Sequence, residues 1–193
     1  MFIPAQESIL DMSPIEFEKN VLIILQQQMA GIENCHFEHN KIIEVSDGNY
    51  QIDGYIEFSL MGITYKTLVE CKHYKSSIQR EKVQVLYDKI RACGAQKGVL
   101  VSSSNFQSGA ITYATQHGIG LIQLTEAGSE YHTRAMLNTV VANHHVPYND
   151  GVPYIGVLQT SPKEGIMQCS YLSSRNTALR EFLEKGIDGN TYQ

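Results

Sequence analysis

The stretch Gln51-Ile-Asp-Gly-Tyr-Ile-Glu-Phe-Ser-Leu60, then Met61-Gly62, then Ile63-Thr-Tyr-Lys-Thr-Leu-Val-Glu-Cys-Lys-His73 decides how this chain is read. Both runs are rich in β-branched and aromatic residues, and a glycine-containing dipeptide separates them. Tyr50 to Leu60 and Ile63 to His73 are therefore predicted to form the two strands of a hairpin. A two-residue turn at Met61-Gly62 sets Leu60 opposite Ile63, and the residue numbers of every cross-strand pair then sum to 123. In that register Asp53 falls opposite Glu70. Facing residues have Cβ atoms about 4.5–5.5 Å apart, and like charges so placed repel. Two carboxylates among apolar and aromatic neighbours call for a positive partner, and a hard divalent cation with oxygen ligands is the natural one.

Alternation along the strand puts Glu70 and Lys72 on one face and Cys71 on the other. Lys72 can then reach a metal-bound water or the scissile phosphate, either to orient or help deprotonate the water or to stabilise developing negative charge. Two acids and one ammonium supply what metal-assisted phosphodiester hydrolysis needs. Asp53, Glu70 and Cys71 are the candidate metal-contacting positions, although the Cys71 side chain alternates away from the site and reads as a small core residue. Asp-x(n)-Glu-x-Lys is a short pattern, and Glu70 and Lys72 also fit a solvated charge pair. Their order on a hairpin, the alignment of the two acids and the basic helix that follows favour a site.

Upstream, Ser13, Pro14 and Glu16 form a capping box with proline at the first helical position, predicting a helix from Pro14 to Ala30. Ile15, Val21, Leu22, Leu25 and Met29 recur at helical spacing as its inner stripe, and Glu18 sits within it. A carboxylate there needs a cation or a water-filled cleft, or else lies on the flank and reaches solvent. His36 to Val45 is a further strand, completing an antiparallel meander. Downstream, Ser76 and Ser77 offer caps for a helix to Cys93 with Val83, Leu86, Tyr87 and Ile90 inside and Gly94 as its stop. Gly98 to Ser102 and Ile119 to Leu124 are buried strands flanking a helix from Phe106 to His117. Helices between buried strands imply parallel crossovers. The result is an α/β fold: a mixed sheet with helices on both faces. Beyond it, Glu130 to Val141 reads as a helix, Tyr154 to Gln159 and Ile166 to Leu172 as a strand pair packed on the core's edge or mediating a homodimer, Thr177 to Lys185 as a helix and Gly186 to Gln193 as a tail. Pro147, Asn149, Asp150, Gly151 and Pro153 mark a loop before that appendage.

The chain has 193 residues, 42% hydrophobic and 18% charged, as expected of a globular protein with a real core. No run is long enough for a membrane span, and the N-terminus lacks the basic and apolar regions of a signal peptide. Cys35, Cys71, Cys93 and Cys169 are widely spaced and read as reduced thiols of a cytoplasmic protein. Net charge is −5, yet Lys66 to Lys97 holds eight basic and three acidic residues, a local +5. Such a segment can face phosphates, with Lys75, Arg80 and Lys82 as candidate DNA contacts, or it can be the solvated face of an amphipathic helix. The pairs His36/His39 and His144/His145 lack zinc-site spacing and read as surface or loop histidines. Ser102-Ser-Ser-Asn105 reads as a strand-end turn able to touch a phosphate.

Four segments together carry a resemblance: Ser13-Pro-Ile-Glu-Phe-Glu18, Gln51-Ile-Asp-Gly54, Val69-Glu-Cys-Lys-His-Tyr74 and Gly94-Ala-Gln-Lys-Gly-Val-Leu-Val-Ser-Ser-Ser-Asn-Phe-Gln-Ser-Gly-Ala110. In this order they resemble the Mrr-type restriction endonuclease catalytic domain of the PD-(D/E)xK nuclease superfamily. The resemblance covers residues 13–124 and leaves 125–193 as an extension of unknown role. It implies a restriction-endonuclease-like α-β-β-β-α-β core, double-stranded DNA as substrate, 5′-phosphate products, and Mg²⁺ as cofactor with Mn²⁺ as substitute. Glu18 matches the helical acid of such sites, Asp53 the strand-two acid, and Glu70 and Lys72 the Glu-x-Lys. The proline of the superfamily motif is replaced by Ile52. Gln84 is the candidate for the glutamine that related nucleases carry on the next helix, with Gln79 as competitor, and spacing does not choose between them. Restriction or defence is the implied setting. A Holliday-junction resolvase-like nuclease and a non-cleaving DNA-binding protein on the same fold are the alternatives.

Overall fold

A computed structural model describes residues 11–29, 32, 34–60, 62–126, 131–134, 139–142, 154–163, 166–172 and 177–184. Helix α1 (Pro14–Gln28) starts as its sequence dictates. The Ser13 hydroxyl accepts from the Glu16 N–H at 3.3 Å, and the Glu16 carboxylate accepts from the Ser13 N–H at 2.8 Å. Its buried face is Phe17, Val21, Leu22, Ile24 and Leu25. Ile15, expected in that stripe, is 58% exposed. The helix is turned so that Phe17 takes the inward place, stacked on the His73 ring at 4.9 Å.

Strands β1 (His36–Val45), β2 (Gly48–Leu60) and β3 (Ile63–Lys72) form the expected antiparallel meander. Leu60 faces Ile63, and Gly62 adopts the left-handed φ of 79° that a two-residue turn asks of glycine. Helix α2 (Arg80–Ala92) returns the chain to β4 (Lys97–Ser102), parallel to β3, and Gly94 follows the helix at φ 61°. Helix α3 (Ser108–Gln116) leads to β5 (Gly120–Glu126), parallel to β4.

Helix α2 begins later than the serines suggested, with Gln79 as its N-cap and no capping side-chain bond. The cause is Ile78, which is buried and held extended by a parallel bridge to Phe106. Its N–H donates to the Asn105 carbonyl at 2.8 Å, and its carbonyl accepts from the Gln107 N–H at 2.9 Å. That bridge also delays α3 past Phe106.

The C-terminal segment differs from its reading in one respect. Where a helix was expected from Glu130 to Val141, β6 (Tyr131–Arg134) and β7 (Thr139–Ala142) pair antiparallel. Tyr131, Thr133, Thr139, Val140 and Val141 favour extended backbone. Strands β8 (Tyr154–Lys163) and β9 (Ile166–Tyr171) pair as expected, and β8 lies antiparallel beside β5, so the main sheet runs β1-β2-β3-β4-β5-β8-β9. Helix α4 (Ala178–Glu184) closes the described chain. Met61, the 144–153 loop residues and the 186–193 tail lie outside the described residues.

The sheet separates two cores. One joins α1 and α4 to Ile56, Phe58, Val69, Cys71, Val99 and Ile122. The other joins α2 and α3 to Tyr55, Leu68, Leu100 and Leu121. Helix α1 crosses β2 at Gly54, where an added Cβ would lie 2.6 Å from Leu22 Cδ2 and 3.2 Å from Val69 Cβ. Gly54→Ala is therefore expected to cost about 1–3 kcal/mol of stability, because α1 must lift to admit a methyl group. Urea unfolding of the variant checks this, and an unchanged midpoint would show that the contact yields freely.

Candidate active site

The β2–β3 ladder follows the predicted register as far as Gly54↔Val69 and stops there. Asp53 and Glu70 are the next residues along, at the open end of the hairpin. Neighbouring β1 is also perturbed at this level. Asn40, between the pairs His39↔Gly54 and Lys41↔Ile52, has φ 54°. Ile52 and Tyr55 both pack on the α2 side, so the pleat of β2 is irregular between them. The Asp53 carboxylate consequently turns toward β3 and accepts the Cys71 N–H at 2.8 Å.

Glu70 lies on the α2 side with 9% of its side chain exposed. The Lys72 ammonium donates to its Oε1 at 2.6 Å, and the Lys89 ammonium, arriving from α2, donates to its Oε2 at 2.8 Å. Lys89 also donates to the Gln51 carbonyl at 3.0 Å. Lys72 stands 4.0 Å from Asp53 Oδ2, an ion pair too long for a hydrogen bond. Two acids and two ammoniums thus meet in one place, with Glu70 closely paired and Asp53 less so.

The electrostatics follow that inequality. Burial pushes the Asp53 carboxyl up, and the Glu70 charge pushes it further; the Cys71 N–H and the Lys72 ammonium pull down without cancelling this, and Glu18 adds a smaller upward push. Burial works against the Lys72 charge, but Glu70 and then Asp53 outweigh it and raise that ammonium's pKa. Because the folded protein holds the Asp53 proton more tightly than the unfolded chain, Asp53 lowers stability as pH rises through the ordinary aspartate range and above. Asp53→Asn should accordingly match the wild type in acid and become relatively more stable toward neutrality. Paired urea titrations from pH 3 to 7 without metal measure this, and a pH-independent difference would contradict it.

The other sequence candidates are distributed around this centre. The Glu18 carboxylate, 22% exposed, faces His39 Nε2 at 2.9 Å. Cys71 packs its thiol in the α1 core, where burial first and the nearby acids second push its pKa well up. Its N–H points to Asp53, and in a strand the C=O of the same residue faces the same edge. Gln84 and Gln79 are both exposed. Lys75 is exposed, the Arg80 guanidinium lies over the Tyr113 ring at 5.0 Å, and Lys82 sits 3.4 Å from Glu81. Ser103 and Ser104 face the loop after β3: the Ser103 hydroxyl meets His73 Nδ1 at 3.1 Å, and the Ser104 hydroxyl donates to the Ser76 carbonyl at 2.7 Å.

Three neighbours of the site were not singled out from the sequence. Lys89 counted only toward the charge of its segment, although its place next to buried Ile90 on α2 was the available signal. His39 was read as a surface residue, yet its ladder partner is Gly54, beside Asp53. His73 follows Lys72 directly and bridges Phe17 and Ser103.

The oxygen donors suit a hard divalent cation: two carboxylates, one lacking a close positive partner, with the Cys71 carbonyl turned to the same edge. Among the described residues no three His, Cys, Asp or Glu side chains gather into a metal-binding group.

Comparison with known proteins places this geometry in context. Residues 9–127 match the Mrr-type catalytic-domain model described as restriction endonuclease. Over 108 residues the chain is 29% identical to the type IV methyl-directed restriction enzyme EcoKMrr of Escherichia coli (strain K12), covering 56% of this chain and 34% of that protein. The chain thus spans about a third of the length of that relative. Among solved structures, a protein of unknown function, AF1548, is 17% identical with TM-score 0.47, covering 56% of this chain and 57% of that one. The DNA modification-dependent restriction endonuclease AspBHI is 20% identical with TM-score 0.41, covering 56% and 28%.

Proposed function

This chain belongs to the Mrr-type restriction endonuclease family, and from that premise we propose that it hydrolyses phosphodiester bonds of DNA in a Mg²⁺-dependent reaction, as a cytoplasmic restriction or defence nuclease. The observation that carries the reading is the meeting of Asp53, Glu70 and Lys72 at the open end of one hairpin. Asp53 and Glu70, with the Cys71 carbonyl, would hold the cation. Bound there, Mg²⁺ would neutralise the phosphate and lower the pKa of a water.

The protein's own groups divide the remaining work. Asp53 is oriented by the Cys71 N–H, which leaves its second oxygen for the cation. Lys72, raised in pKa and therefore charged, stands between the two acids and is placed to orient the water or offset charge on the phosphate. Glu18, paired with His39 at 2.9 Å, would join the site from α1 through water or a second ion. Lys75, Arg80 and Lys82 would contact the DNA backbone, which fixes register without reading sequence. Among the described residues no helix is long and apolar enough to cross a membrane.

The test is an assay of the purified protein on linear, supercoiled, methylated and four-way-junction DNA with Mg²⁺, Mn²⁺ or EDTA. Cleavage of duplex DNA that requires the metal and leaves 5′-phosphate ends supports the reading. Cutting confined to the four-way junction would move it to a resolvase, and binding without cutting on any substrate would end it.

A further inference from the structure

We infer that Lys89 is a positioning residue of this site, which fixes the Glu70 carboxylate and holds the open end of the hairpin together. The inference rests on reading Asp53 and Glu70 as metal ligands. Past Gly54↔Val69 no ladder pair joins β2 to β3 among the described residues. Besides the 4.0 Å ion pair of Lys72 with Asp53, two hydrogen-bonded links bridge the gap. One is the Asp53 carboxylate on the Cys71 N–H. The other is Lys89, whose ammonium donates both to Glu70 Oε2 on β3 and to the Gln51 carbonyl on β2.

The two oxygens of Glu70 are thereby given different tasks. Oε1 is held by Lys72, the ammonium that also lies 4.0 Å from Asp53. Oε2 is turned to α2 and taken by Lys89. A cation held by Asp53 and Glu70 would compete with Lys72 for Glu70, while Lys89 would stay on Oε2 and the Gln51 carbonyl. Lys89 is only 18% exposed and anchored to a main-chain carbonyl, so its position is set by the fold. Among the described residues Lys72 has one close acceptor, and its role differs accordingly.

Removing the Lys89 charge has two opposed effects on metal binding. It takes a positive charge from beside the cation site, which favours the cation, and it frees one side chain to rotate, which disfavours it. Because Lys89 is bonded to Glu70 itself at 2.8 Å and is mostly buried, the charge effect is taken as the larger. Lys89→Met should therefore bind Mg²⁺ about tenfold tighter by calorimetry while cleaving DNA at least about tenfold more slowly at saturating Mg²⁺, because Glu70 Oε1 is no longer aimed. A merely structural lysine would instead give weaker metal binding on loss. Lys89→Arg keeps the charge and the donors and should bring both values to within about fivefold of the wild type. If Lys89→Met does not fold, Lys89→Gln carries the same expectation. Unchanged or weaker Mg²⁺ binding in the neutral variants, or a wild-type cleavage rate, overturns the inference. Asp53→Asn and Glu70→Gln controls separate the cases: if they too bind Mg²⁺ like the wild type, the metal-ligand reading falls and takes this one with it.

Discussion

Asp53→Asn and Glu70→Gln are each expected to slow DNA cleavage by at least about a thousandfold, and to shift metal-free stability in opposite directions. Either change removes one of two anionic ligands, and with it the cation's charge at the scissile phosphate. From the sequence, both carboxylates are equal partners in one repulsion, so losing either should leave the metal-free protein as stable or slightly more so. The structure divides them. Asp53 lacks a close ammonium and is held with its carboxyl pushed up by burial and by Glu70, so its neutral analogue relieves a penalty and still accepts the Cys71 N–H. Glu70 is bonded by Lys72 and Lys89, and a neutral amide there leaves two half-buried ammoniums without their counter-charge. With these lysines 16% and 18% exposed, that loss should cost about 1–3 kcal/mol. Cleavage rates and urea midpoints in EDTA report both effects. Full cleavage by either variant would refute the assignment of the pair, and a destabilised Asp53→Asn would mean that its charge is structural.

Lys72→Ala is expected to slow cleavage about a hundred- to a thousandfold while still binding Mg²⁺ at least as tightly as the wild type. An ammonium carries no lone pair and cannot be a ligand, so its removal leaves the oxygen donors intact. Lys89 continues to neutralise Glu70 in this variant, which keeps the carboxylate in place. Calorimetric titration with Mg²⁺ alongside cleavage rates separates the two functions. Loss of metal binding would show that Lys72 chiefly holds the carboxylates together.

Most of the frame could be read from the sequence because its signals are local. A capping box and proline mark α1, a glycine turn sets the hairpin register, and short apolar runs mark β4 and β5. That register brings Asp53, Glu70 and Lys72 toward one place, although the ladder itself ends one pair short of Asp53 and Glu70. The readings that failed depend on tertiary contacts. Phe17 rather than Ile15 faces inward, packed in the α1 core and stacked on the His73 ring, a tertiary contact which the helical period does not encode. Ser76 and Ser77 look like caps, but burying Ile78 between the loops after β3 and β4 keeps the chain extended past them. Lys89 on α2 and Gln51 on β2 lie far apart in sequence, and no spacing rule joins them. The end of the ladder at Gly54 is likewise invisible in alternation, because the irregular pleat of β2 depends on its neighbour β1.

The unusual backbone at Asn40 has a bearing on self-association. β1 forms one rim of the main sheet, and an unprotected rim invites strands from other molecules to add on. This rim carries His36, Glu38, His39, Lys41 and Glu44, and midway along it Asn40 departs from extended geometry at φ 54°. An incoming strand would meet alternating charges and, at Asn40, a break in the row of donors and acceptors. It could pair continuously only if Asn40 straightened, and Asn40 sits between the ladder pairs that flank Asp53. Intermolecular β-pairing along this rim would therefore distort the strand on which Asp53 stands, and the same kink guards the protein against such aggregation.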